Sequence, residues 1–416
     1  MNKKVLIIGL IWPEPEATAA GTRMMQLISI FLKYGYELYF ASASARSDLS
    51  CNFEALDINC LSIELNNSNF DIQIKEIDPG IVLFDRFLTE EQYGWRIQEV
   101  CPKALRILDT EDLHFLRKSR EIASKKNSNE WLSYIQNETT KREVASIFRC
   151  DISLIISEFE VSLLEKYFQI SPSLLFYLPL LVDSNEISKF TELPDFKQRK
   201  HFMTIGNFKH QPNLDAVRLL RQSIWPKIRK QLPQSEMHVF GAYPTEAVKQ
   251  LENKKEGFYI KGWISDKSKA FTSYKVCLAP LRFGAGQKGK LLDAMYFGTP
   301  SVTTSIGAEG ISETKYWNGF VTDNDQEFAN KAVLLYSDAV LWMNAQKAGE
   351  KILKTKFEKK IFEEKILFAI EKLRLGLDEH RTNNFIGSML SHHSLQSTKY
   401  MSKWIEIKNL SNDKII

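Results

Sequence analysis

Cysteine is scarce in this sequence of 416 residues. Its five cysteines, Cys51, Cys60, Cys101, Cys150 and Cys277, are odd in number and widely spaced, so no disulfide framework and no C-x-x-C metal or redox pair is available. Buried free thiols are the expected state. Long apolar runs are missing too. No stretch approaches the roughly 18 apolar residues of a spanning helix, which predicts a chain that does not cross a membrane. An excess of one charge is also lacking: 55 Lys and Arg against 51 Asp and Glu leave a formal +4, too little to suggest wholesale nucleic-acid binding, and no nucleic-acid partner is expected. Internal repeats and low-complexity tracts are absent. Lys3-Lys4 and the apolar Val5 to Trp12 run straight into Pro13-Glu14-Pro15-Glu16 without a small-residue cleavage site, so this start reads as a buried strand and not as a signal peptide. A cytoplasmic protein is expected.

What is present is the composition of a soluble globular protein, with 44% hydrophobic and 25% charged residues. At about 150 residues per domain the length suggests two to three domains. The first half alternates short β-branched runs with amphipathic ones, the pattern of parallel strands joined by crossover helices. Strands are predicted at 5–9, 38–41, 81–84, 105–108, 152–157 and 174–178. A helix over Gly21 to Leu32 carries apolar residues at 24, 27, 28 and 31 and is ended by Gly35. The alternation stops in a polar stretch and restarts with strands at 202–205, 238–240, 258–260, 276–279 and 301–304 and helices at 213–230, 245–252 and 290–297. The expected organisation is a Rossmann-like domain over 1–180, a linker over 181–200, a second such domain over 201–376 and a helical tail over 377–416.

The most informative segment is Leu278 to Met295, a strand, a glycine-rich turn and a helix. Gly284, Gly286 and Gly289 free the backbone to approach a ligand, and the first N–H groups of the following helix suit an anion such as a phosphate. On a helical wheel Leu291, Leu292 and Met295 share one face, and Lys290 and Asp293 the opposite one. Lys290 and Arg282 then suit a pyrophosphate and Asp293 ribose hydroxyls; a solvated face with a surface ion pair is the competing reading. Residues 284–289 also spell G-x-G-x-x-G. That fingerprint belongs to the first strand-to-helix turn of its domain, whereas here it follows about the fourth strand, and no acid stands directly at the end of the next one. A nicotinamide or flavin oxidoreductase is the weaker alternative.

Pro280-Leu281-Arg282, Gly284-Ala285-Gly286, Lys290, Asp293-Ala294-Met295, Gly298-Thr299-Pro300 and Gly307-Ala308-Glu309-Gly310, in this order, resemble the donor-binding half of family 4 glycosyltransferases of the GT-B fold. Ile205-Gly206-Asn207-Phe208, Pro212 to Val217, Val239-Phe240-Gly241 and Lys261 to Asp266 extend the likeness over about residues 201 to 322. The resemblance implies an α/β fold of two facing Rossmann-like domains with parallel sheets, and a C-terminal helix packing back toward the first. It further implies transfer, with retention, of a sugar from a nucleotide-sugar donor to a glycan or lipid-linked acceptor, with no metal and no cofactor. Two departures stand out. Ala285 occupies the place of an acid common in the family, and Asp293 that of a Glu. The basic pair usual after the second domain's first strand falls on Asn207 and Asn213, leaving Lys209, Arg282 and Lys290 as candidate phosphate partners beside Gly206, Asn207, Gly284, Ala285, Gly286, Asp293 and Glu309.

In the first half, Asp109-Thr110-Glu111-Asp112-Leu113-His114 follows a strand at its carboxyl end, where open α/β sheets place ligands. The resemblance implies His114 as the residue facing the transferred sugar; local packing is the alternative. Gly21, closing the long Pro13 to Arg23 loop, resembles the family glycine that covers the donor phosphates, or is a helix-start residue. Arg117 to Arg142 holds seven basic and three acidic residues with Trp131 and Tyr134, a candidate peripheral contact with the inner face of the membrane, or a solvated helix face. His392 and His393 read as packing residues and not as a metal site. The remaining functional alternatives are a GT-B sugar-nucleotide epimerase or hydrolase, and a degenerate nucleotide-sugar-binding partner protein, for which Ala285 speaks.

Overall fold

The computed structural model describes residues 2–183, 185 and 192–412. In the first domain β1 (Lys4–Ile8), β2 (Glu37–Ser42), β3 (Asn59–Ser62), β4 (Ile81–Asp85), β5 (Leu105–Asp109), β6 (Ile152–Ile155) and β7 (Leu175–Tyr177) form a parallel sheet in the order β3-β2-β1-β4-β5-β6-β7. The central strands β1 and β4 are apolar along their middles, 5–8 and 81–84, because helices cover both faces. Val5, Ile7, Ile81 and Leu83 enter one apolar cluster, while Leu6, Ile8, Val82 and Phe84 enter the other. Helix Ala19–Lys33 links β1 to β2 and is N-capped by Thr18, whose Oγ1 accepts the Gly21 N–H at 2.9 Å.

The second domain repeats the plan with β8 (Lys200–Ile205), β9 (Met237–Phe240), β10 (Phe258–Gly262), β11 (Tyr274–Ala279), β12 (Ser301–Thr303) and β13 (Gly319–Val321), all parallel, in the order β10-β9-β8-β11-β12-β13. In each sheet the strand order reverses beside the first strand, between β1 and β4 and between β8 and β11. Such switch points open a crevice at the carboxyl ends of the strands. The helix expected over 213–230 is built from Gln211–Leu219, a π turn over Leu220–Ile224 and Trp225–Gln231. Pro226 explains the wide turn, since its ring would clash with the carbonyl four residues back in a regular helix.

Part of the expected linker, residues 184 and 186–191, lies outside the described residues. Beside it the chain crosses between domains twice. Val182 donates its N–H to Phe357 O at 2.8 Å and accepts the Lys359 N–H at 2.9 Å, so the outgoing and returning segments run side by side. Helix Lys359–Leu375 buries Phe362, Ile366, Leu367 and Ile370 in the first domain's core. The chain therefore rejoins the first domain at Lys359, earlier than the expected boundary at 376, because helical periodicity does not say which core a helix enters. Arg381 then clamps Asp151 with bonds of 2.8 and 2.7 Å, and helix Phe385–Asn412 lies on helices Arg86–Val100 and Glu138–Arg149. Among the described residues no helix is long and apolar enough to cross a membrane.

Candidate active site between the two domains

A cleft of about 880 Å³ separates the carboxyl ends of the two sheets. Its second-domain wall is Gly206 and Asn207 after β8 and the turn from Phe283 to Lys290 after β11. Across from it stand Glu14 to Ala20 after β1, Arg86 after β4, and Glu111, Asp112 and His114 after β5.

The glycine-rich turn is held from both sides. Gly286 has φ +63°, and a Cβ there would lie 2.8 Å from Asp112 Cβ, so only glycine lets the turn rest against the first domain. The Gly286 N–H donates to Glu160 Oε1 at 2.8 Å, an oxygen that also accepts the Leu113 N–H at 3.2 Å. Arg120 donates to Gly284 O at 2.9 Å and, through both Nη atoms, to the Glu309 carboxylate at 2.7 Å each. Its guanidinium sits 5.0 Å from the Trp131 ring and 5.1 Å from that of Phe159.

Two lysines flank the point where this turn enters helix Gly289–Tyr296. Lys288, only 8% exposed, donates to Gly286 O at 2.8 Å. Lys290 Nζ donates to Asn213 Oδ1 at 2.7 Å, and Asn213 Nδ2 donates to Asn207 O at 2.9 Å. Gly206 makes room for this chain, since a Cβ on it would be 2.7 Å from the Asn213 side chain. Burial pushes the Lys290 ammonium down to about 8 and lowers that of Lys288 as well. Lys288 already feels the carboxylates of Glu309, Glu160 and Asp112, whereas Lys290 has no carboxylate acting on it among the described residues, so a desolvated cation stands at a helix N-terminus, where an anion would satisfy its charge. If a diphosphate binds there, its affinity is expected to hold steady near neutral pH and to fall as pH rises through about 8, because the lysines then lose the protons that attract it. Calorimetric titration at neutral pH and above pH 9 checks this, and equal affinities would argue against it.

On the first-domain wall His114 opens helix His114–Lys125. The Glu143 carboxylate accepts the His114 and Phe115 N–H groups at 3.1 and 2.9 Å, so a neighbouring helix supplies the cap. Phe87 meets the imidazole edge-on at 5.5 Å, and Asp112 lies 3.6 Å from Nε2 and pairs with Arg117. Burial drives the imidazole down to about 3 against the opposing pull of Asp112, so the ring is neutral at physiological pH. Glu111 and Arg86 both hold positive φ, +62° and +68°, at the ends of β5 and β4. Glu111 is 8% exposed, its Oε1 makes no hydrogen bond among the described residues, and burial pushes its carboxyl well above the usual range.

Of the residues expected at the site, His114, Gly206, Asn207, Lys209, Gly284, Ala285, Gly286, Lys290 and Asp293 line the cleft. Lys209 Nζ stands 3.5 Å over the Tyr243 ring, and Asp293 pairs with Lys267 at 2.9 Å. Three do not line it. Arg282 turns outward to Asp215 and is half exposed. Glu309 is occupied by Arg120. Gly21 lies inside the first helical turn, where a Cβ would meet the Glu14 backbone at 2.4 Å; it lets the loop fold back on the helix. The basic stretch is also largely spent internally: Arg117 pairs with Asp112, Arg120 with Glu309, Lys125 with Glu121, Lys141 with Glu138 and Arg142 with Glu91. Lys288 and Arg86 are not anticipated from the sequence, which offers Glu111 only within the segment leading to His114. Lys288 had a visible signal, a second lysine in the same glycine turn, but it precedes the helix and so falls outside the wheel.

Several solved structures share this fold. Sucrose-phosphate synthase of Thermosynechococcus elongatus superposes with a TM-score of 0.67 at 13% identity, over 89% of this chain and 99% of that one. HepE of Anabaena, solved with UDP and glucose, gives 0.65 at 13% identity, over 89% and 100%. The fold is GT-B. A TarM variant of S. aureus, solved with fondaparinux, α-GlcNAc-glycerol and UDP, gives a TM-score of 0.56 at 16% identity over 72% of this chain, which spans only 57% of the TarM chain. Residues 199–338, the GT-B second domain with the turn and both lysines, match the family model described as glycosyl transferases group 1. Among curated protein sequences none matches this one.

Proposed function

We propose that the protein is a retaining glycosyltransferase of the family 4 type, moving a sugar from a nucleotide-sugar held mainly by the second domain to a glycan or lipid-linked acceptor held against the first, in the assembly of a surface polysaccharide or glycoconjugate. The observation that carries this reading is the desolvated pair Lys288 and Lys290 at the start of a helix, inside the cleft of a GT-B fold. Breaking the anomeric bond leaves negative charge on the departing diphosphate. Fixed cations and aligned backbone dipoles already in place stabilise that charge without reorganising, which lowers the barrier. In this reading the protein's own cations meet the charge and no metal is required. Neutral His114 donates or accepts a hydrogen bond at a sugar hydroxyl, and Glu111 offers an acceptor to another.

UDP-sugars are the first donors to try, since two of the similar structures hold UDP. Incubation with UDP-glucose and UDP-N-acetylglucosamine, with and without a panel of glycoside acceptors, should release UDP and yield an extended glycoside only when acceptor is present. Release without acceptor would point to a hydrolase, and no release from any nucleotide-sugar would contradict transfer. A binding-only protein is the second reading, and Ala285 favours it: it is buried in the first domain's apolar cluster, where the resemblance leads one to expect a carboxylate on the sugar. Donor binding without product across the panel would select it.

His114→Ala is expected to lower kcat roughly 2- to 10-fold with little change in donor KM, the worth of a neutral hydrogen bond to substrate of ~0.5–1.5 kcal/mol. Because the ring stays neutral, the wild-type pH–rate profile should show no limb near 6.5 that disappears in this variant.

A further inference from the structure

Helix Phe385–Asn412 leaves most of its large apolar side chains exposed. The inward side buries Leu395, 3% exposed, among small and polar residues. Gly387 packs so closely that a Cβ would be 2.1 Å from Phe148 O, the Ser391 hydroxyl accepts from Gln98 Nε2 at 3.2 Å, and Ser402 is 4% exposed. Glu406, the only carboxylate in the helix, accepts the Ser68 N–H at 2.7 Å. On the outer side Tyr400, Met401, Trp404, Ile407 and Leu410 are 58% to 66% exposed. At 100° per residue Tyr400, Trp404 and Ile407 fall on nearly one line, with Met401 and Leu410 to either side. Exposed Lys403 and Lys408 flank this stripe, and Lys408 Nζ stands 5.4 Å from the Trp404 ring.

We propose that this outer face docks on an anionic lipid surface. Apolar side chains with an interfacial Trp and Tyr, edged by lysines and free of outward carboxylates, match the two attractions that hold a helix in the plane of a membrane: burial of apolar area among the acyl chains and contact of cations with acidic headgroups. The lysine stems lie along the apolar stripe while their ammonium groups reach the headgroups. A second copy of the chain fits less well. A two-fold contact brings the same patch of both copies together, setting Lys403 and Lys408 against their counterparts, and lysine is depleted in protein interface cores. The Arg117 to Arg142 stretch is not this surface, because most of its cations are already paired. The inference is independent of sugar transfer.

Flotation of the full chain with vesicles tests it. The protein should rise with vesicles of phosphatidylcholine mixed with phosphatidylglycerol, rise far less with phosphatidylcholine alone, and be released by high salt. Lys403→Glu combined with Lys408→Glu should lower the bound fraction at least about tenfold. Trp404→Ser with Ile407→Ser should do the same, and neither pair should shift the melting temperature, since all four side chains face outward. Absence of flotation, equal flotation on both vesicle types, or undiminished binding of both double variants would overturn the proposal. So would a dimer by light scattering that the Trp404→Ser/Ile407→Ser pair disperses in a protein that does not float.

Discussion

Lys290→Ala is expected to reduce turnover by about two to three orders of magnitude, the usual loss when a group that meets developing charge in a water-poor site is removed. The expectation follows from where the ammonium is. It is desolvated, it faces the cleft and, among the described residues, its one hydrogen-bond partner is the amide oxygen of Asn213. A desolvated cation with so little compensation contributes nothing obvious to the fold, so melting should stay the same or rise slightly. Nucleoside diphosphate affinity should drop with turnover. Asn213→Ala should reproduce part of the loss, because the lysine then has nothing to fix its direction. Full activity in Lys290→Ala would remove the lysine from the reaction.

The second large effect concerns stability. Arg120 is 4% exposed and ties the first domain to Gly284 O and to both oxygens of Glu309, between two aromatic rings. Arg120→Ala leaves a mostly buried carboxylate without its partner and should cost about 3 kcal/mol in a denaturant titration, near the lower end for breaking a buried pair. Removing both charges, Arg120→Ala with Glu309→Ala, should recover part of that loss, since no orphaned carboxylate remains. Small-angle scattering of the single variant should show the two domains further apart. A single variant as stable as the parent would mean that the contact does not hold the cleft together.

The difference between these residues and those read from sequence is one of range. Strands β1 and β4 are legible because a parallel strand covered on both faces reads as a nearly continuous apolar run, here 5–8 and 81–84. Edge strand β3 is not, since Asn59 and Ser62 face solvent and leave no such run. The short helix Lys267–Ser273 escapes for want of two full turns of periodicity. At the site, glycines followed by a helix announce the turn locally, whereas the fate of each charge depends on partners far away in the chain. Arg282 is drawn off by Asp215, 67 positions away, and Glu309 by Arg120, 189 positions away. Only the folded chain reveals those pairings. In the cationic stretch from 117 to 142, likewise, Arg120 and Arg142 are matched by Glu309 and Glu91, which lie outside it.

Calorimetric titration of nucleoside diphosphates, UDP first, into the wild type and into Lys288→Ala/Lys290→Ala bears most directly on the diphosphate seat. At least one diphosphate should bind the wild type in the micromolar to millimolar range and the double variant at least about a hundredfold more weakly, as expected from losing two charge-assisted contacts. Equal affinity for the two proteins, or no binding of any nucleoside diphosphate to the wild type, would show that the turn after β11 holds no diphosphate.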